Sequence, residues 1–354
     1  MPPRDIPQLA GSQFVHLNGT IRGVTSPHSE FPPLADDAWG GDDGDITSGR
    51  RRRARGDKAF ERELDSGLVA DREDVVAVTL APVSRKVSLA IAVFAGLLGL
   101  ALVFSAYAEH RPYGLVIFGI QILFVLSWTV ASRPPGPRVV AAVGLATAAV
   151  ADLAVAWPMH ATLAPLAYVT AGAVAAGGVG QLLRRGGREH VMESLASTLL
   201  MVVGVVAYAT LIVLSRNVLG AEAIAACLTA ATVGIVVARL FDVVLPFPRT
   251  TPQVARGTIG IVVGTMAGTI AAATVASGLK GLHPSHAVIA GLITALAAVL
   301  ADLGVGYAEA SREIEGEVSS LWVVRHMQGP LGAFALAAPV AYAMSVMVLV
   351  PSLS

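Results

Sequence analysis

The chain has 354 residues, of which 54% are hydrophobic and 14% are charged, and its formal net charge is zero. Ordinary soluble domains carry roughly 25% charged residues, so this composition excludes that class and indicates a membrane protein. A single cysteine, Cys227, excludes an internal disulfide. The sequence contains neither a Gly-x-Ser-x-Gly elbow nor a basic patch with interleaved aromatics, which argues against a hydrolase and against binding to nucleic acid.

Residues 1–84 form a separate region that is rich in Pro, Gly, Asp, Ser and Arg. Apolar periodicity is poor there, and such a segment cannot bury enough surface to offset its ordering entropy. We therefore predict a disordered cytoplasmic tail. It carries an acidic patch within 36–45 and a basic run within 50–55. The basic run either docks on anionic lipid headgroups or only sets the membrane topology.

Residues 85–354 form a polytopic transmembrane domain. Apolar stretches of about twenty residues recur there, and each is long enough to cross ~30 Å of hydrocarbon. Backbone groups in lipid must pair internally, so each stretch is predicted to be a helix. The fold class is therefore all-α, a membrane helix bundle of about nine transmembrane helices. The stretches are 87–108, 113–131, 139–157, 161–183, 192–214, 221–245, 258–278, 287–307 and 330–350.

Arginines in the loops predict the orientation. If the N-terminus is cytoplasmic, the inner loops carry most of the basic residues, and the outer loops carry Arg111, Arg216 and Lys280. This bias satisfies the positive-inside rule at every turn. An odd number of spans then places the C-terminus outside the cell, in a protein integral to the plasma membrane.

Asp302 is the most informative acidic residue, because it lies inside the eighth apolar stretch. A carboxylate at that depth costs several kcal/mol unless it is paired or hydrated, so it is a candidate functional residue. Asp302, Glu309 and Glu313 fall on one helical face, where their oxygens could hold a divalent cation. The alternative for Glu309 and Glu313 is an ordinary solvated helix end.

Two other acids lie within apolar stretches. Asp242, near the end of the sixth stretch, follows Arg239 by three residues, so these two side chains could simply pair. Asp152, in the third stretch, is expected to pair with His160 or with a neighbouring helix.

Four motifs follow one another in the C-terminal half, namely ADLG at 301–304, Ser311 with Arg312, His326 with Gly329, and AAP at 337–339. In this order they resemble the signature of the phosphatidate cytidylyltransferases (CDP-diacylglycerol synthases), and the resemblance covers about residues 193–342. Asp242, followed by Thr251, Pro252 and Gly257, matches a second conserved stretch of that family in part. The family's Lys-Asp and Asp-Arg-x-Asp motifs are absent from this chain.

The resemblance implies a reaction in which CTP and phosphatidic acid give CDP-diacylglycerol and pyrophosphate, with Mg²⁺ as cofactor if the protein is active and no cofactor otherwise. It implies roles for two sets of residues: the catalytic carboxylates would be Asp242 and Asp302, and the substrate-binding residues would be Arg249, Arg256, Arg312, Arg325 and His326. By the shared helical face, the metal ligands would be Asp302, Glu309 and Glu313.

Because key charged motifs are absent, a catalytically degenerate accessory or scaffold protein for envelope lipid assembly is a second hypothesis. A third is a small-solute or lipid transporter with Asp152 and Asp302 as proton carriers. The expected partners are membrane lipid, CTP if a nucleotide site is retained, and a second copy or another membrane protein. Nucleic acid is not expected.

Overall fold

The computed structural model describes residues 85–108, 110–134, 136–156, 162–182, 191–245, 247–251, 254–314 and 322–349. The predictions for the tail, including its disorder, its acidic patch and its basic run, lie outside these residues. So does His160, the proposed partner of Asp152.

Nine α-helices and one short β-hairpin make up the described part of the chain, which confirms the all-α helix bundle. The helices are α1 (Arg85–Ser105), α2 (His110–Ser132), α3 (Pro137–Ala156), α4 (Ala164–Leu182), α5 (Val191–Ser215), α6 (Gly220–Val244), α7 (Thr258–Gly278), α8 (Pro284–Ile314) and α9 (Trp322–Met344). A π-helical turn, Ser345–Leu349, continues α9. The hairpin joins α6 to α7 through β1 (Arg249–Thr251) and β2 (Val254–Gly257).

Eight of the nine helices in the described ranges are long and apolar enough to cross a membrane. The exception is α4, whose 19 residues include Gly172, Gly177, Gly178 and Gly180. Glycine contributes no apolar side chain, so this helix has a weaker signal for insertion than its neighbours. The chain is thus membrane-embedded on the evidence of eight helices, and α4 is a proposed ninth span.

The outer surface of the bundle is apolar, as a lipid-facing surface should be. Large hydrophobic side chains lie exposed on many helices, for example Leu97, Phe104, Leu115, Met266 and Ile270. Soluble monomers rarely expose contiguous apolar surface on this scale. The surface therefore supports the same conclusion as helix length and composition.

Helix α6 lies at the centre of one half of the bundle, where thirteen of its 25 residues are buried. It packs against α1, α7 and α8. Its contact with α7 is a close backbone approach, because a Cβ added at Gly264 would lie 2.5 Å from the carbonyl oxygen of Gly234. Small residues permit such an approach, which is the main source of helix association in a membrane.

Helix α5 organises the other half, where it packs against α2, α3 and α4. Helix α9 joins the two halves, since it contacts both α5 and α8. Two side chains fix it there: the Tyr208 hydroxyl donates to the Leu331 carbonyl at 2.6 Å, and the Ser127 hydroxyl donates to the Val324 carbonyl at 3.1 Å.

Helix α8 is 31 residues long, which exceeds the predicted apolar stretch. At 1.5 Å per residue it measures about 46 Å, against ~30 Å of hydrocarbon. Its last turns therefore extend beyond the apolar layer and carry Glu309 and Glu313. The hairpin folds back against α6 and α8 at this same end of the bundle.

Candidate functional site

Asp302 of α8 is held by an arginine from the neighbouring helix α6. The Arg239 guanidinium donates from Nε to Oδ2 at 2.9 Å and from Nη2 to Oδ1 at 2.6 Å. This two-point contact is the geometry in which a planar guanidinium matches a carboxylate best. The sequence left open a local pair between Arg239 and Asp242. In the structure the bidentate partner of Arg239 is instead Asp302, 63 residues further along the chain.

Arg256 of β2 brings the two buried acids together. Its Nη2 donates to Oδ2 of Asp302, and its Nε lies 3.5 Å from Oδ2 of Asp242. Asp242 also accepts the backbone N–H of Gly257 at 3.0 Å on its other oxygen. Arg239, Asp242, Arg256 and Asp302 thus form one group, which we call the charge cluster. The two acids that the sequence singled out meet there through a shared arginine.

Three members of the charge cluster are almost completely shielded from solvent, because Asp302 is 0%, Asp242 2% and Arg256 3% exposed, whereas the Arg239 side chain is 13% exposed. Burial and the neighbouring Arg239 guanidinium lower the pKa of Arg256, while Asp302 and Asp242 raise it. An arginine nevertheless keeps its proton in proteins. The cluster therefore contains two positive and two negative groups, and its charges balance internally.

Two glycines pack directly on the carboxylates. A Cβ at Gly260 of α7 would lie 2.8 Å from Oδ1 of Asp242. A Cβ at Gly329 of α9 would collide with Oδ1 of Asp302 and would lie 3.0 Å from Nη2 of Arg239. Backbone without side chains therefore covers the charge cluster on two sides. This packing explains a glycine at 329 without any need for a ligand.

A second set of charges lies where α8 and α9 face each other. Arg325 of α9 contacts Glu309 through Nε, and its Nη2 lies 2.5 Å from Oε1 of Glu313. His326 lies beside them, with Nδ1 3.6 Å from Oε1 of Glu309. Glu309 and Glu313 thus bracket an arginine of α9, whereas Asp302 is held by Arg239 and Arg256. Among the described residues, no group of three or more His, Cys, Asp or Glu side chains is arranged to hold a metal ion.

The remaining predicted substrate-binding arginines make other contacts. The Arg249 guanidinium lies 5.3 Å from the centre of the Phe247 ring, a cation–π contact. Arg312 donates from Nε to the Ala308 carbonyl at 3.2 Å and from Nη1 to the Ala131 carbonyl at 3.4 Å. It therefore holds the end of α8 against the end of α2.

Sequence reasoning missed three partners of the buried acids. Arg239 was considered only for Asp242, although any arginine within an apolar stretch needs a partner inside the bundle. Gly329 entered the sequence analysis only as a motif residue beside His326, and only the packed structure shows that it lies against Asp302. Gln121 of α2 was also missed: its Nε2 donates to Oδ1 of Asp152 at 3.0 Å. A glutamine inside an apolar stretch was the signal that could have revealed it.

No family model matches the chain, and no curated protein matches it either. The resemblance to the phosphatidate cytidylyltransferases therefore rests on the motifs quoted above.

The geometry predicts a large stability cost for removing the Asp302 carboxylate. Asp302→Leu would leave two guanidiniums facing a single acid in a buried site, and breaking a buried ion pair typically costs about 3–5 kcal/mol. The double variant Arg239→Leu/Asp302→Leu restores the balance, because Arg256 still faces Asp242. We expect it to be more stable than Asp302→Leu alone, as measured by the free energy of unfolding of the purified protein.

Glu313→Gln is the matched control, because it removes a carboxylate that is 54% exposed. It should lower the free energy of unfolding by no more than about 1 kcal/mol. If Asp302→Leu were as stable as the unmodified protein, the three-residue contact of Asp302 with Arg239 and Arg256 would not be the native arrangement.

Proposed function

We propose that this protein is a catalytically degenerate relative of the CDP-diacylglycerol synthases, which acts as an accessory or scaffold protein in envelope lipid assembly. One observation carries the proposal. Both oxygens of Asp302 accept hydrogen bonds from guanidinium groups, and the side chain is completely buried. An acid bound in this way stabilises the bundle and does not present an oxygen to a metal ion.

The chemistry of nucleotidyl transfer supports the same proposal. That reaction needs a metal ion to neutralise the triphosphate and cationic side chains to hold both phosphates. In this chain the charges of Arg239 and Arg256 are balanced by Asp242 and Asp302. The segment at 323–334, VVRHMQGPLGAF, supplies no carboxylate. In the family that the chain resembles, the corresponding loop supplies two.

An active cytidylyltransferase is the second candidate, and one observation favours it. Asp242 and Asp302 share Arg256, so the two acids that the resemblance singles out lie at one place. The phosphates of CTP could displace both carboxylates from the arginines and so release them to bind Mg²⁺. This exchange would make magnesium binding depend on CTP.

The transporter hypothesis has less support. Asp152 lies near the end of α3 that meets Arg216, just before α6 begins, whereas Asp302 contacts Arg239 near the other end of α6. The distance along α6 is about 30 Å at 1.5 Å per residue. The two proposed proton carriers therefore lie near opposite ends of the bundle.

We further propose that the protein lies in the plasma membrane with a cytoplasmic N-terminus and an outside C-terminus. This orientation follows from the arginine bias of the loops and from nine spans, including α4. Reporter fusions within residues 1–84 and after Ser354 should locate to opposite sides of the membrane. Fusions on the same side would show that the number of crossings is even and would remove α4 from the set of spans.

The proposed loss of catalysis predicts no magnesium-dependent consumption of CTP by the purified protein in vesicles that contain phosphatidic acid. The measurement is pyrophosphate release, beside a control in which Asp302→Asn removes the charge but keeps the shape of the side chain. Release by the unmodified protein that disappears in Asp302→Asn would overturn the proposal in favour of the enzyme.

The same proposal makes a cellular comparison informative. If the charge cluster is structural, the balanced Arg239→Leu/Asp302→Leu variant should restore the phospholipid composition of cells that lack the gene. A catalytic cluster would leave that variant inactive although it folds.

A further inference from the structure

A second polar site lies at the end of the bundle opposite the charge cluster. It is a cavity of about 730 Å³ between α2, α3 and the end of α5. Most of its lining is apolar, including Leu115, Phe118 and Ile212, but two charged side chains, Asp152 and Arg216, also line it. A mainly apolar cavity of this size with a few placed polar groups is the usual form of a small-ligand site.

Asp152 lines this cavity, and among the described residues one of its two carboxylate oxygens accepts a hydrogen bond and the other does not. Its Oδ1 accepts the hydrogen bond from Nε2 of Gln121. Gln121 is fully buried, and the same nitrogen donates to the Val205 carbonyl at 3.1 Å, so both of its N–H groups are used and its position is fixed. Oδ2 of Asp152 has no hydrogen-bond partner among the described residues and is itself shielded from the cavity that the residue lines. A carboxylate oxygen in that position is costly, so a turn of the side chain toward a donor in the cavity would relieve the cost.

Arg216 provides the opposite charge. It follows α5 directly, and its Nη1 donates to the carbonyl of Val155, three residues after Asp152. This contact places the guanidinium at the end of α3, where it lines the same cavity as Asp152. The cavity is therefore lined by one carboxyl group and one guanidinium group.

The position of the cavity indicates access from the lipid. Asp152 is four residues from the end of α3, which is about 6 Å along the helix axis. A helix of 20 residues is about 30 Å long, which matches the hydrocarbon thickness, so Asp152 is expected within about 6 Å of the hydrocarbon boundary. Leu115 and Leu153, which line the cavity, are also among the large side chains exposed on the outside of the bundle. The cavity is thus bordered by lipid-facing surface.

We propose that this cavity binds the headgroup of a zwitterionic phospholipid that carries a primary ammonium group. The ammonium donates to the Asp152 carboxylate, which turns toward it, the phosphate lies against the Arg216 guanidinium, and an acyl chain leaves past Leu115 and Leu153. A primary ammonium has N–H donors for the carboxylate, and guanidinium matches phosphate well. A choline headgroup has the same charges but no N–H donor. A glycerol headgroup lacks the cation.

The test is a comparison of lipids on the purified full-length protein by native mass spectrometry. Phosphatidylethanolamine, phosphatidylcholine and phosphatidylglycerol with identical acyl chains are supplied at equal concentration. One hydrogen bond to a charged group corresponds to roughly a tenfold difference in affinity, so phosphatidylethanolamine should be retained about tenfold better than the other two.

Variants of the lining assign that preference to the cavity. Asp152→Asn keeps the size of the side chain and an acceptor for Gln121, and it should reduce phosphatidylethanolamine to the level of phosphatidylcholine. Ala149→Phe fills the cavity without changing its charges and should reduce the retention of all three lipids. Glu222→Gln is the matched control, because it removes a carboxylate in the first turn of α6, outside the lining.

Equal retention of the three lipids, a preference for phosphatidylethanolamine that survives Asp152→Asn, or lipid retention that is unchanged in Ala149→Phe would overturn the proposal. A preference for phosphatidylglycerol that depends on Arg216 alone would also contradict it. If Asp152→Asn fails to fold, the lipid comparison on the unmodified protein and the Ala149→Phe variant decide. None of these measurements involves Asp302, so their outcome is independent of the assay for CTP consumption.

Discussion

The constraint on which the structure depends is the neutralisation of a carboxylate inside the bundle. Asp302 lies in α8 with no exposure to solvent, so an unpaired charge there would cost several kcal/mol. The solution uses Arg239 from α6 and Arg256 from the hairpin, which bind the two oxygens of Asp302. Helix α6 and the hairpin that follows it are thereby held against α8, which lies further along the chain. Helix α9 contacts this group as well, because Gly329 has no side chain and its backbone lies directly against the Asp302 carboxylate.

This arrangement gives the two ends of the bundle different properties. At the end with the charge cluster, the charges balance and both oxygens of Asp302 accept hydrogen bonds, although Oδ2 of Asp242 accepts none from the described residues and lies 3.5 Å from Nε of Arg256. At the opposite end, Asp152 has an oxygen with no donor among the described residues and lines a cavity beside Arg216. A buried polar group that lacks a partner is more informative about ligand binding than one that is saturated, because the protein itself does not satisfy it. Asp302, the acid that stands out most in the sequence, therefore has a more structural role than Asp152.

Much of the fold follows from the sequence, because a membrane restricts the backbone to helices and sets their length. Each of the nine described helices overlaps one of the nine apolar stretches. The two largest differences are that α8 continues through Ile314, past the predicted end at 307, and that α9 begins at Trp322, before the predicted start at 330. The sequence was less informative about which charged side chains pair with each other. A residue three positions away on a helix is a neighbour by geometry alone, so Arg239 suggested Asp242 as its partner. Its actual partner lies on another helix, and only the crossing of α6 and α8 determines that contact.

The central claim is that Asp302 is a structural acid already bound by the protein, and the most direct test is a ligand-dependent unfolding measurement. A ligand that binds only the folded state raises its stability in proportion to its occupancy. We predict that Mg²⁺ and CTP, added separately or together, leave the unfolding temperature of the purified protein unchanged. A rise that requires both ligands and is lost in Asp302→Asn would contradict the account, because it would show that Asp302 can exchange its arginines for a metal ion.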